Sequence, residues 1–248
     1  RNLIHATVEA GKSFPSGTVI LADSLSESKG RFTRSWHAPV GGVWGCMVHA
    51  NTLQPQSRSF IPFAVGVSCC EVLRDLGVWN SSLRWVNDVL VGGVKLAGFL
   101  VETYTESTYG EEFTLVGFGI NINNHVFPAE LDGLAVALCD ILQKKLDLSQ
   151  FTARFLARLA FNFGILYHEE HCELRGESLS GSDGIHLLLD KWLKLSDTVG
   201  QNVLYGFDVM SAPQYRAKVL GLDDCGGLRL LLEDGHEKIE YSGEVRYL

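Results

Sequence analysis

The run Arg84-Trp85-Val86-Asn87-Asp88, followed by Lys95-Leu96-Ala97-Gly98-Phe99-Leu100-Val101-Glu102, constrains this chain more than any other stretch. Val89-Leu90-Val91 is a short apolar run, and Gly92-Gly93 supplies the positive φ angles that a two-residue hairpin turn needs. Val94 to Val101 reads as the returning strand. A hairpin sets its strands side by side, so Asp88 and Lys95 are expected near one pocket. A carboxylate, an amide and a lone lysine so placed suit a site that handles a polyphosphate and a carboxylate.

The pattern on either side of the hairpin sets the fold class. Arg1 to Ala10 has the spacing of a helix tail that Gly11 ends, and the absence of a methionine at position 1 points to residues upstream. Thr18 to Ala22 is predicted to be a buried strand, and Val43 to Ala50 a second one. Ser59 to Leu76 reads as a core helix with Pro62 in its first turn. Glu112 to Ile122 is another strand. Leu131 to Lys145 and Ser149 to His168 read as amphipathic helices, the second with Ser149 as N-cap. Glu169 to Gly184 reads as an exposed polar connection, with Glu169-Glu170 a solvated helix end. Ile185 to Leu195 reads as a third helix. After Ser196 short β-type runs take over, at 202–207, 215–220, 228–232 and 238–241, with Gly and Asp turns between them. A small all-β barrel of about 50 residues is expected there. The division is thus an α+β catalytic domain over 1–195, a mixed β-sheet flanked by helices, and a β-barrel domain over 196–248.

Composition narrows the partners. Lys and Arg number 21 against 29 Asp and Glu, a formal net charge of −8, which argues against broad nucleic-acid binding through phosphates. No apolar run is long enough to cross a bilayer, and no signal peptide opens the chain. The six cysteines form no C-x-x-C pair and no zinc-spaced cluster. Four lie in apolar surroundings as small core residues, which fits a reducing cytoplasm, although an even count alone leaves disulfides open. Trp44, Trp79 and Trp192 read as core or anchoring aromatics. The stretch Ser24 to Pro39 is polar, Gly-punctuated and basic through Lys29, Arg31 and Arg34, and reads as a mobile loop.

These residues together resemble the biotin protein ligase family (biotin–[acetyl-CoA-carboxylase] ligase), of the shorter type without a DNA-binding domain. The basic loop Lys29-Gly30-Arg31-Phe32-Thr33-Arg34-Ser35-Trp36-His37-Ala38-Pro39-Val40-Gly41 corresponds to the family's Gly/Arg loop. Arg84 to Asp88 corresponds to its Lys/Arg-Trp-Pro-Asn-Asp, and Lys95 to Glu102 to its Lys-x-x-Gly-x-Leu-x-Glu strand. Gly117-Phe118-Gly119-Ile120-Asn121 matches its Gly-x-Gly-x-Asn, and Ser242-Gly243-Glu244-Val245 its closing run.

The resemblance implies a biotin/lipoate ligase-like, class II synthetase-like catalytic fold with a C-terminal SH3-like barrel. It implies ATP, biotin and Mg²⁺ as ligands, biotinyl-5′-AMP as intermediate, and a lysine of a biotin carboxyl carrier protein domain as acceptor. A homodimer through exposed sheet edges is compatible with it. Lys95 is then the cation aimed at the α-phosphate. Asp88 would hold Mg²⁺ or receive and orient the incoming amine, and Arg31 would pair with phosphate. Lys29, Gly30, Arg34, Trp36, Asn87, Gly98, Leu100 and Asn121 would complete the ligand site, Trp36 by stacking on adenine. The bland alternatives are a surface lysine for Lys95, Asx turns for Asp88 and Asn121, a β-bulge for Gly98 and a solvated basic loop.

Several positions depart from the pattern. A Ser-Thr-Asn segment that lines the family's biotin pocket has no counterpart after Arg1. Leu25 stands for a glutamine, Ser28 for a glycine, Phe32 for an arginine, Thr33 for a glycine and Val86 for the proline. Weaker adenylate retention or a different acyl substrate would follow. Two other readings therefore stand beside the first: a lipoate or octanoate ligase-like enzyme, and a non-catalytic protein that binds biotin or an adenylate.

Overall fold

In the computed structural model, residues 1–31, 34–177 and 186–248 are described. Strands β1 (Thr18–Ala22), β2 (Val43–Ala50), β3 (Ser81–Arg84), β4 (Asp88–Val91), β5 (Val94–Thr105) and β6 (Glu112–Ile120) form one sheet in the order β1-β2-β6-β5-β4-β3. Its ladders are antiparallel. The parallel component expected of a mixed sheet is confined to the isolated bridges Leu83–Ser196 and Lys95–Ala135. β1 is not buried as expected: among the described residues it pairs only with β2, and Ile20 and Leu21 are about half exposed, as suits an edge strand.

Most of the helices cover one face of this sheet, while the first packs on the other face with Val48, Phe113 and Leu115. α1 (Asn2–Glu9) precedes β1, and the short α2 (Pro55–Arg58) precedes α3 (Ile61–Asp75), which begins with Pro62 in its first turn. α3 is apolar nearly all round because the sheet lies on one side and α5 (Leu148–Arg175) and α6 (Leu187–Leu195) on the other. The helix expected over 131–145 is only α4 (Leu138–Leu142). Gly133 turns with φ +68, and residues 134–136 run extended beside Lys95, which leaves no room for a longer helix. α5 is capped by Asp147, whose carboxylate accepts from the Gln150 amide at 2.9 Å, rather than by Ser149. It also runs on to Arg175. Glu169 and Glu170 are therefore buried, not a solvated end, and their carboxylates accept from the Leu187 and Gln54 amides. The expected helix at 185–195 starts at Leu187, with Ile185 outside the described residues.

The C-terminal strands β7 (Asn202–Gly206), β8 (Tyr215–Leu222), β9 (Leu228–Leu232), β10 (Glu237–Glu240) and β11 (Glu244–Tyr247) form an antiparallel sheet in the order β10-β9-β8-β7-β11. Among the described residues no β10–β11 ladder closes it into a barrel. One apolar cluster joins the two sheets: Phe63, Leu83, Trp85 and Trp192 pack in the same body as Val203, Tyr205, Val219 and Leu230. Cys69, Cys70, Cys139 and Cys172 are buried, and all six thiols are free. Among the described residues no helix is long and apolar enough to cross a membrane.

Candidate active site

The hairpin forms as its sequence predicts, with Gly92 at φ 58 and Gly93 at φ 84. Its register pairs Leu90 with Lys95 and Asp88 with Gly98, the extra residue being absorbed as an irregularity beside Val89 and Leu90. The backbone of Lys95 is clasped from the side: its N–H donates to Leu134 O at 3.1 Å, and its carbonyl accepts from Val136 N at 3.0 Å. The side chain then runs over Gly98 toward Asp88, and its Nζ lies 2.6 Å from Asp88 Oδ1. Arg84 Nη2 donates to the other oxygen, Oδ2, at 2.6 Å. Burial pushes the Asp88 carboxyl up, but the adjacent Lys95 and Arg84 outweigh it and hold it below its ordinary 3.8. Asp88 is thus an ionised bridge between two cations.

Gly98 faces Gly119 across β5 and β6, and Leu100 faces Gly117. These four form a floor with almost no side chain on it, bordered by Trp44 and Cys46 on β2. The Trp36 indole lies on this floor. A Cβ at Gly98 would stand 2.9 Å from Trp36 Cζ3 and 3.0 Å from Lys95 Cε, and one at Gly119 would stand 2.9 Å from Trp36 Nε1. Gly98 is therefore neither bulged nor idle: its missing side chain admits Lys95 and the indole. Lys95 Nζ lies 5.0 Å from the Trp36 ring centroid, a cation–π contact. Among the described residues the buried Trp36 Nε1 has no hydrogen-bond partner. A buried donor facing a bare floor is a feature that a ligand with an acceptor would satisfy.

The basic loop is closed at its base. Leu25 N donates to Ala38 O at 2.9 Å, and Trp36 N donates to Ser28 Oγ at 3.0 Å while the Ser28 hydroxyl donates to the Trp36 carbonyl. Gly30 N donates to Arg34 O at 2.7 Å. Arg31 Nη1 donates to Asn87 Oδ1 at 3.2 Å, which brings loop and hairpin together. Burial lowers the Arg31 guanidinium, with Glu244 and Asp88 acting the other way. Asn87 also continues the ladder, donating from Nδ2 to Phe99 O at 2.6 Å. Arg34 turns away from the hairpin to Asp208 and Glu244. Lys29 is exposed, and Phe32 and Thr33 lie outside the described residues.

Lys95, Asp88, Asn87, Arg31, Trp36, Gly98 and Leu100 thus share one face. Asn121 is 2% exposed and tied into a turn: its Oδ1 accepts from Asn124 Nδ2 at 2.9 Å. That matches the Asx-turn alternative. A magnesium ion held by the protein alone does not fit, because both Asp88 oxygens already face cations. Among the described residues no three His, Cys, Asp or Glu side chains converge on a metal position. Arg84, Gly119 and Glu244 are participants that the sequence reading quoted without giving them a role. The Gly-x-Gly spacing was the signal for the floor, since alternate residues of a strand share a face.

Residues 10–123 match the sequence profile described as the biotin/lipoate A/B protein ligase family. The chain is 26% identical over 243 residues to the bifunctional ligase/repressor BirA of Bacillus subtilis, covering 95% of this chain and 68% of that protein. It is 27% identical over 148 residues to the biotin–[acetyl-CoA-carboxylase] ligase of Mycobacterium tuberculosis, covering 58% of this chain and 53% of that one. Its fold superposes on the biotin protein ligase from Aquifex aeolicus in complex with biotin and ATP with a TM-score of 0.74 and 25% identity, over 95% of this chain and 91% of that chain.

Proposed function

We infer that this chain is a member of the biotin/lipoate A/B protein ligase family and an ATP-dependent biotin protein ligase. Biotin and ATP are joined as biotinyl-5′-AMP, and the biotinyl group passes to a lysine of a carboxyl carrier protein domain. The observation that carries this reading is Lys95, braced by Asp88 over the Gly98–Gly119 floor.

In the first step a biotin carboxylate oxygen attacks the α-phosphorus and pyrophosphate leaves. Two anions must approach, so fixed positive charge at the reacting centre lowers the barrier. Lys95 supplies it from a strand whose backbone is held on both sides, and Arg31 adds a second cation from the loop. In the second step the neutral carrier amine attacks the acyl carbon, AMP departs with the bonding electron pair of the broken acyl–oxygen bond, and the proton of the amine passes to solvent. A general base works best with a pKa near the operating pH. Asp88 is held below 3.8, so it orients the amine and balances the charge of Lys95 rather than keeping the proton. Any magnesium would be brought by the nucleotide phosphates, since both Asp88 oxygens are taken up by Lys95 and Arg84. Trp36 covers the adenylate and its indole N–H finds an acceptor there. The six free thiols fit a reducing, cytoplasmic setting, and the exposed edge of β1 is the route by which two copies would pair.

Biotin-dependent ATP–pyrophosphate exchange tests the reading. Wild-type protein should support it, and Lys95→Ala should lose it with the fold intact by circular dichroism. Exchange driven by lipoate or octanoate but not biotin would reassign the acyl substrate, and no exchange with any acid would leave a binding protein.

A further inference from the structure

The closing run Ser242-Gly243-Glu244-Val245 has no part in the chemistry above. Its geometry gives it one. Gly243 has φ +98, and a Cβ there would stand 2.6 Å from the Tyr205 hydroxyl, so glycine is required at this turn. The turn sets Glu244 at the start of β11, where its Oε1 accepts from the Val209 amide at 2.8 Å and from the Arg34 guanidinium. Asp208 Oδ1 accepts from Arg34 Nη2 at 2.9 Å and from the Ser211 amide at 3.3 Å. Two carboxylates, one at the start of β11 and one in the connection between β7 and β8, each aimed by a backbone amide, therefore hold one guanidinium of the basic loop.

That clasp reaches the hairpin. Arg34 is bonded through its backbone to both Gly30 and Arg31: Gly30 N donates to Arg34 O at 2.7 Å, and Arg34 N donates to Arg31 O at 3.2 Å. Arg31 in turn donates to Asn87. Fixing Arg34 therefore fixes the two residues bonded to it and aims Arg31. We propose that Glu244, seconded by Asp208, is a positioning residue for adenylation: it latches the basic loop through Arg34 so that Arg31 stays on the hairpin while the adenylate is bound. The proposal rests on the ligase reading. Arg34 is 39% exposed, so the latch is weakened by salt and opens readily enough for substrates to enter.

Glu244→Gln keeps an oxygen for the Val209 amide and removes the charge. It is compared with Arg34→Gln and with the double variant in two measurements. One is tryptic cleavage of the Lys29–Gly30 bond in the native, ligand-free protein. The other is release of preformed biotinyl-adenylate in a chase. Each single variant should speed both about three- to tenfold, and the double should be no faster than either single. Glu244→Asp should recover part of the loss. Unchanged rates in Glu244→Gln, or additive effects in the double variant, would overturn the latch. An equal rise at the distant Lys145–Leu146 bond would mark general loosening and overturn it too. If wild-type protein makes no biotinyl-adenylate, the ligase reading falls, and the cleavage measurement still decides the latch.

Discussion

Gly119 shows how much a missing side chain can do. It pairs with Gly98 across the sheet, and the Trp36 indole occupies the space that side chains at these two positions would fill. Glycine weakens a strand interior, by about 0.5–1 kcal/mol relative to alanine in comparable contexts, so two facing glycines are a local cost that close approach of a ligand offsets. Gly119→Val should therefore leave the melting temperature unchanged or higher, because valine suits a strand and Trp36 rides on a loop that can yield. Exchange activity should fall on the order of a hundredfold, because the adenylate loses its floor. A variant that keeps full exchange would show that the ligand lies elsewhere. Asp88 gives the second test at this scale. Its folded pKa is depressed below 3.8, so its stabilising contribution is present above 3.8 and is lost as pH falls through the lower folded value. Asp88→Asn should lower stability at neutral pH and flatten the acid limb of the stability curve, as followed by urea midpoints across pH.

At the scale of elements, α1 is held to the sheet by a pair whose strength depends on pH. His5 Nδ1 lies 2.8 Å from Glu106 Oε1, and Glu106 also accepts from the Thr108 and Tyr109 amides. Burial pushes the Glu106 carboxyl up, but the bonds from His5, Thr108 and Tyr109 prevail and bring it down to about 2, while the bond to Glu106 raises His5 above 6.5. The Glu106 contribution is present above 4.5 and disappears as pH falls through about 2; the His5 contribution is present below 6.5 and disappears as pH rises through its raised value. His5→Gln should thus destabilise the protein at about pH 5.5 and much less at about pH 8.5, read by thermal melts at both. The elements that the sequence made legible share one property, a local signal that nothing overrode. Gly92-Gly93 dictates the hairpin turn, Pro62 starts α3, and Val43 to Ala50 forms β2 over the expected span. The misread elements were decided by distant partners. Residues 134–136 follow the backbone of Lys95 instead of a helical period, and Glu169 and Glu170 are buried because far-off amides need their oxygens. The candidate site was legible to the same extent: Lys95 and Asp88 meet through a local turn, whereas Arg34 meets Glu244 across 210 positions of chain.

For the whole molecule, we propose that the division at 195/196 is topological rather than cooperative. The chain leaves the helices at Ser196, whose hydroxyl donates to Leu83 O at 2.7 Å, and Thr198 then enters the junction fully buried. The Thr198 hydroxyl lies 3.3 Å from Leu83 O and 2.8 Å from the Tyr247 hydroxyl, and it accepts from Trp85 N at 3.4 Å. One side chain thereby ties β3, the crossing segment and β11. Around it the apolar packing is continuous: Trp85 Nε1 donates to Gly226 O at 3.3 Å, and Phe63 fills the space beside Gly226. A core shared in this way has no weak plane along which the C-terminal sheet would melt first. Thr198→Val keeps the shape and deletes the hydroxyl, which should cost about 1–3 kcal/mol because the junction partners stay buried. Urea unfolding followed by far-UV circular dichroism and by tryptophan fluorescence should give coincident single transitions for both proteins, with the variant's midpoint lower. Two resolved steps in the wild type would show that the sheets unfold as independent units. Because Glu244 lies on β11, which the Thr198 hydroxyl ties to β3 through Tyr247, the variant should also release biotinyl-adenylate faster than wild type under conditions where both are fully folded.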